Sequence, residues 1–203
     1  MLIIELNNWN CDILGVSETH RRGTEGLYLG GYKFVAQGVE EGKSRSGVGL
    51  ILSKEAQKAF TGYNFMSDRI TPAKFKSMVG ELVVIHAPTT EAPQPECDSF
   101  YSLLQATISE QKDGAFVILM GDFNAKVECE WENAGGAIGK FGTVDVNDAG
   151  ERLIQFANVN KLVITNTCFR QDKANRQWTW ESPDGFTHNV IDHNSLIING
   201  GDA

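Results

Sequence analysis

The chain has 203 residues, 41% hydrophobic and 22% charged, which suits one folded domain and excludes a mainly disordered polypeptide. Its longest apolar run, residues 115–120, is too short to cross a membrane, and the N-terminal residues MLIIELNNWNCDILG carry no basic segment or cleavage site of a secretory signal. Eighteen Lys and Arg against 26 Asp and Glu give a formal charge of −8, which excludes a protein that holds nucleic acid by charge alone but leaves room for a nuclease whose divalent cation supplies the positive charge.

The four cysteines (Cys11, Cys97, Cys129, Cys168) show no CxxC spacing, so a disulfide scaffold or zinc knuckle is not expected and an intracellular, reducing setting is. In chain order, residues 2–9 read as a helix end and 12–16 (DILGV) as a short buried strand. Residues 32–36 read as a strand, 42–46 as a polar turn, and 47–52 (GVGLIL) and 79–86 (VGELVVIH) as strands. Three of the five prolines make 87–96 a loop. Asp98 or Ser99 then caps a helix carrying Phe100, Leu103, Leu104, Thr107 and Ile108 on one stripe. Residues 115–120 read as a strand covered on both faces, running into Gly121-Asp122-Phe123-Asn124.

Residues 128–147 form a long glycine-bearing loop. Asp148 and Glu151 have capping-box spacing ahead of a helix through Leu153, Ile154, Phe156 and Ala157. Residues 162–166, 177–180 and 190–198 read as strands, the last two joined by Ser182-Pro183-Asp184-Gly185. Strands outnumber helices and alternate with them, so the class is mixed α/β with a substantial sheet.

Two places bear chemistry. Glu18 directly follows an apolar strand, and Asp122 with Asn124 follows the most apolar one. Carboxylates at strand ends sit on the sheet rim where ligands bind, and two such ends can hold a hard cation such as Mg²⁺. Asp and Asn after glycine also simply make tight turns. Asp192, in Ile191-Asp192-His193, either orients a catalytic group or pairs with a surface base.

Taken in order, ILGVSETH, SGVGLILS, SDRI, VIHAPTT, ILMGDFNAKV, GKFGTVDVNDAGERLIQF, LVITNTCF and TWESPDGFTHNVIDH resemble the endonuclease/exonuclease/phosphatase superfamily across nearly the whole chain. Within it they are most similar to the endonuclease domains of RTE-type, LINE-like non-LTR retrotransposons and to craniofacial development protein 2-like proteins. The resemblance implies a four-layer α/β sandwich of two packed mixed sheets flanked by helices. It implies a Mg²⁺-dependent (or Mn²⁺-dependent) phosphodiesterase that cuts DNA, with a nuclear location. On the matching positions it implies Glu18 and Asp192 as metal-binding residues and Asp122, Asn124, Asp192 and His86 as catalytic residues. Asp122 would activate or position the attacking water, Asn124 would orient the phosphate, and Asp192 would orient a histidine. Asn147, Trp180 and Arg45 are the candidate substrate-binding residues. No membrane or obligate protein partner is expected.

Departures from the family pattern accompany the match. Trp9-Asn10 lies just before DILG rather than on a preceding strand, and no SDH motif follows before Ala203. His86 replaces the tyrosine of a "YAP" motif, and His193 replaces that of "IDY", where packing or a surface role is expected. The expectation is therefore a single domain over 1–203, incomplete at both ends. The alternatives are a catalytically incomplete remnant that binds DNA, chromatin or protein, and a small-molecule phosphatase of the same fold.

Overall fold

The computed structural model describes residues 2–20, 23–38, 47–76, 81–110, 116–127, 135–143, 145–170 and 178–198. The chain divides into two compact units, Met1–His86 and Ala87–Ala203.

The first unit contains α1 (Leu2–Asn8), β1 (Ile13–Val16), β2 (Gly23–Leu29), β3 (Tyr32–Gly38), β4 (Val48–Leu52), α2 (Lys54–Ala59), β5 (Phe60–Tyr63), β6 (Ile70–Phe75) and β7 (Glu81–His86). One antiparallel sheet has the order β1-β4-β3-β2, and β5, β6 and β7 pair in sequence in a second. β4 is apolar on both faces because both are covered, and all five of its residues are buried. Ile51 joins Leu6 of α1 and Tyr32 of β3, with Ile3, Leu14 and Val16 packed against them. By alternation Val48, Leu50 and Leu52 face the other way, and β4 meets β6 and β7. Burying each such aliphatic side chain stabilises the unit by about 1.5–3 kcal/mol.

The second unit contains α3 (Gln94–Ser109), β8 (Phe116–Asp122), α4 (Asp148–Val159), β9 (Leu162–Ile164), a 3₁₀ turn (Thr165–Cys168), β10 (Trp180–Glu181), β11 (His188–Asn189) and β12 (Asp192–Ile198). β12 lies between β8 and β9, antiparallel to both. α4 rests on β9. α3 and α4 are joined by Arg152 Nη1 to Asp98 Oδ1 at 2.6 Å, by paired Gln105 and Asn160 amides at 2.8 Å, and by the Tyr101 and Phe156 rings at 5.2 Å. Burial in this helix pair pushes the Tyr101 phenol pKa well above its ordinary value. Packed sheets flanked by helices make the fold mixed α/β, as the sequence implies.

Several elements differ from the sequence expectation. α3 starts at Gln94, a turn before Asp98 and Ser99, because Pro95 fits the first turn, where a missing N–H costs nothing. Asp98 instead holds Arg152, and Ser99 Oγ donates back to the Pro95 carbonyl. The cap of α4 is Asn147, not Asp148. The strand expected over 162–166 ends at Ile164 and tightens into the 3₁₀ turn. Ser182–Gly185 turns β10 into β11, and β12 belongs to the sheet with β8. On β8 only Val117 and Leu119 are fully buried, while Ile118 and Met120 are half-buried and Phe116 is 38% exposed, so one face carries the core. The turn expected at 42–46, including Arg45, lies outside the described residues.

Candidate active site

The apolar β8 ends in Asp122, and the chain continues through a strap, residues 122–127. In the antiparallel ladder Asp122 stands directly opposite Asp192, the first residue of β12. Directly opposed residues share one face of a sheet, so two half-buried carboxylates lie together at its rim. Like charges so placed repel unless a cation or a proton joins them.

Backbone and side-chain hydrogen bonds fix this strap. The Asn124 N–H donates to Asp122 Oδ1 at 2.8 Å, an Asx turn. Asn124 has a left-handed φ of 50°, a region asparagine tolerates better than most residues. Its Nδ2 donates to the Ala87 carbonyl at 2.9 Å, and the Ala87 N–H donates to the Asp122 carbonyl at 2.8 Å. The Phe123 N–H donates to the Ile191 carbonyl at 2.9 Å, and the Phe123 side chain is fully buried.

Two further side chains hold the strap. Asn147 Oδ1 accepts the Gly150 N–H at 2.8 Å, capping α4, and the Lys126 N–H at 2.9 Å. Its Nδ2 donates to the Asn124 carbonyl at 3.2 Å. A Cβ on Gly150 would strike the Lys126 carbonyl oxygen, so only glycine lets the first turn of α4 approach this closely. His193, 2% exposed, lies one residue beyond Asp192 and so on the other face of β12. Its Nε2 is 2.8 Å from the Ala125 carbonyl, which can only accept, so this nitrogen carries the proton. The ring also meets Phe123 edge-on at 6.2 Å. Burial lowers the His193 pKa, and the nearby Ala125 carbonyl and Asp192 charge only partly oppose that.

Asp192 is held by its backbone. Thr179 Oγ1 accepts the Ile191 and Asp192 N–H groups at 3.1 Å, and Asn166 Nδ2 donates to the Asp192 carbonyl at 3.1 Å. Lys126 pairs with Asp145 at 2.9 Å, which lowers the Asp145 pKa, chiefly through that hydrogen bond. Trp180, on the short β10–β11 hairpin, is 39% exposed, and the hairpin tip presents Phe186 at 87%. Trp178 meets the His188 ring at a tilt, with ring centres 4.3 Å apart.

In the first unit, Glu18 and His20 both follow β1 with left-handed φ angles of 50° and 49°. Such residues cost about 1–2 kcal/mol each and concentrate at functional sites. Thr19 N–H donates to the Gly47 carbonyl, and Gly47 N–H to the Asp68 carbonyl. The Glu18 carboxylate is 61% exposed, with Oε1 3.9 Å from Nε2 of the buried His86. The His86 N–H donates to the Arg69 carbonyl, and Arg69 Nη1 donates to the His86 carbonyl at 3.4 Å.

Among the described residues no three His, Cys, Asp or Glu side chains form a closed metal site. The Asp122–Asp192 pair nonetheless suits a hard cation that keeps water and phosphate oxygens as its other ligands, for which one or two carboxylates suffice. The structure thus groups Asp122, Asn124 and Asp192 in one unit, and Glu18 with His86 in the other. It ties Asn147 to three backbone groups, two N–H donors on its oxygen and the Asn124 carbonyl on its nitrogen. His193, Thr179 and Asn166 hold the site from behind, and nothing local in the sequence marks them as doing so.

A chain with these strand-end acids matches the model of the Endonuclease/Exonuclease/phosphatase family over residues 2–193, and belongs to that family. It is 37% identical over 191 residues to craniofacial development protein 2 of Bos taurus, covering 93% of this chain and 32% of that one. The chain therefore spans about a third of the length of the curated relatives it matches. Among solved structures it is similar to an AP endonuclease from Archaeoglobus fulgidus, with TM-score 0.68 and 16% identity over 97% of this chain and 80% of that one. It is also similar to the endonuclease domain of TRAS1, a telomere-specific non-LTR retrotransposon, with TM-score 0.61 and 13% identity over 96% of this chain and 76% of that one. No helix among the described residues is long and apolar enough to cross a membrane.

Proposed function

We propose that this chain is a Mg²⁺-dependent DNA endonuclease domain of retrotransposon origin, working as one catalytic domain. The observation that carries this function is the register of Asp122 against Asp192 at the sheet rim, in a chain of this family. Two opposed carboxylates at a sheet rim suit a divalent cation, and Mg²⁺ bound there would supply charge neutralisation for the phosphate and the departing oxygen. Asp192 is assigned to hold it, and Glu18, in the first unit, is a further metal-binding candidate that the family resemblance implies. Asp122 holds the attacking water in line and takes its proton. Asn124 orients the phosphate by hydrogen bonding, and His86 donates a hydrogen bond to a phosphate oxygen. Trp180 and Arg45 are assigned to the DNA strand, Trp180 through its half-exposed ring.

Nicking of supercoiled plasmid by the purified chain in Mg²⁺ or Mn²⁺ tests this function. Nicking should stop in EDTA and fall at least about 100-fold in Asp122→Ala. Equal nicking by Asp122→Ala overturns the assignment. No nicking by a folded sample that still binds DNA favours the catalytically incomplete binding module instead.

A further inference from the structure

We infer that Asn147 and His193 are positioning residues, which clamp the Asp122–Val127 strap from two sides and set the geometry of Asp122 and Asn124. The inference rests on the nuclease function proposed above. It also reassigns Asn147 from touching substrate to acting through Asn124.

Asn147 does three things with one amide. Its oxygen accepts two N–H groups, Gly150 at 2.8 Å and Lys126 at 2.9 Å, which fills both lone pairs. Its nitrogen donates to the Asn124 carbonyl at 3.2 Å. The cap of α4 is thereby tied to the residue with left-handed φ whose own N–H is held by Asp122. Gly150 permits the contact, since any Cβ there would strike the Lys126 carbonyl. His193 performs the matching task on the other face of β12. It is buried, donates to the Ala125 carbonyl at 2.8 Å, and braces the Phe123 ring. Asn124 thus lies between two anchored neighbours, Phe123–Ala125 on His193 and its own carbonyl on Asn147. An active-site side chain is only as well placed as the groups that hold its backbone.

Asn147→Asp separates the two tasks of the amide. Aspartate keeps the acceptor for Gly150 and Lys126 and remains a good cap, but has no donor for the Asn124 carbonyl. His193→Phe keeps a ring against Phe123 and removes the donor to Ala125, and His193→Gln restores a donor. For Asn147→Asp we expect kcat to fall about tenfold or more with KM nearly unchanged, and Tm to fall modestly because a carboxylate oxygen then faces the Asn124 carbonyl. His193→Phe should lose kcat similarly, and His193→Gln should recover part of it. Independently of activity, amide hydrogen exchange at Asn124 should quicken in Asn147→Asp relative to the parent chain. A rise in KM at constant kcat means that Asn147 contacts substrate and overturns the inference. Unchanged exchange at Asn124 overturns it as well. Should the parent chain cut no DNA, the nuclease function falls and the exchange measurement alone decides the clamp.

Discussion

The two units carry their acids in opposite ways. In the second unit Asp122 and Asn124 sit on a strap tied down at nearly every residue, by the Ala87 and Ile191 backbones, by Asn147 and by His193. In the first unit Glu18 stands on a left-handed residue with its carboxylate 61% exposed and 3.9 Å from His86. One set of groups is held by many hydrogen bonds, and the other presents an exposed carboxylate beside a buried histidine. The contrast teaches that a fixed frame and an exposed carboxylate suit different tasks. Groups that align a reacting atom gain from fixed geometry, whereas a cation's carboxylate must exchange with water and gains from exposure.

The contrast can be sharpened by removing the support on each side. Gly150→Ala pushes a methyl into the Lys126 carbonyl and should lower stability by about 1–3 kcal/mol, read as a lower Tm, with nicking reduced further than stability alone requires. A Tm equal to the parent's would mean that α4 does not bear on the strap. Acid tests the same side. His193 has a folded pKa below its unfolded value, so the native chain resists protonation while the unfolded chain accepts it. Its contribution is intact above about pH 6.5 and is lost as pH falls below that, by up to about 1.4 kcal/mol per pH unit for one proton. His193→Phe should flatten the drop in Tm between pH 6.5 and 5, and an unaltered drop would assign it to other groups. On the open side, Glu18→Gly should raise stability by about 1 kcal/mol by releasing the left-handed strain, while abolishing metal-dependent nicking. A loss of both would show that Glu18 is structural.

Much of the site was legible in the sequence as acids at strand ends. In the sequence Glu18 reads as following DILGV, Asp122 as following the most apolar run and Asp192 as lying on a late apolar strand; in the structure Glu18 follows β1, Asp122 ends β8 and Asp192 begins β12. Their mutual placement was not legible, because the register of Asp122 against Asp192 depends on two strands seventy positions apart in the chain (192 − 122 = 70). The clamp was hidden for the same reason. Asn147 reads locally as a loop residue beside a capping box, and His193 as a strand residue, and only tertiary contact joins them to Asn124 and Ala125.

The fold shows the same division. The strongly apolar strands β4 and β7 are plain in the sequence, since burial on both faces demands a nearly continuous apolar run, and β8 is plain as an apolar run although only one of its faces carries the core. The weaker elements escape it. β2 contains two glycines, β6 has Pro72, β5 is broken by a register shift between Phe60 and Gly62, and α2 buries only Ala56. Each is held by its neighbours rather than by its own pattern.

The opposed carboxylates give the most direct test, thermal melting of the parent chain and Asp192→Asn across a Mg²⁺ or Mn²⁺ titration, beginning in EDTA. Without cation, Asp192→Asn should melt higher than the parent by the equivalent of about 0.2–1 kcal/mol, because a like-charge pair has been relieved. With cation, the parent should gain stability, by about 2.7 kcal/mol at a hundredfold excess over Kd, and the variant should gain much less. A parent chain whose Tm ignores the cation, or a variant that gains as much, would contradict a cation held by Asp192 beside Asp122.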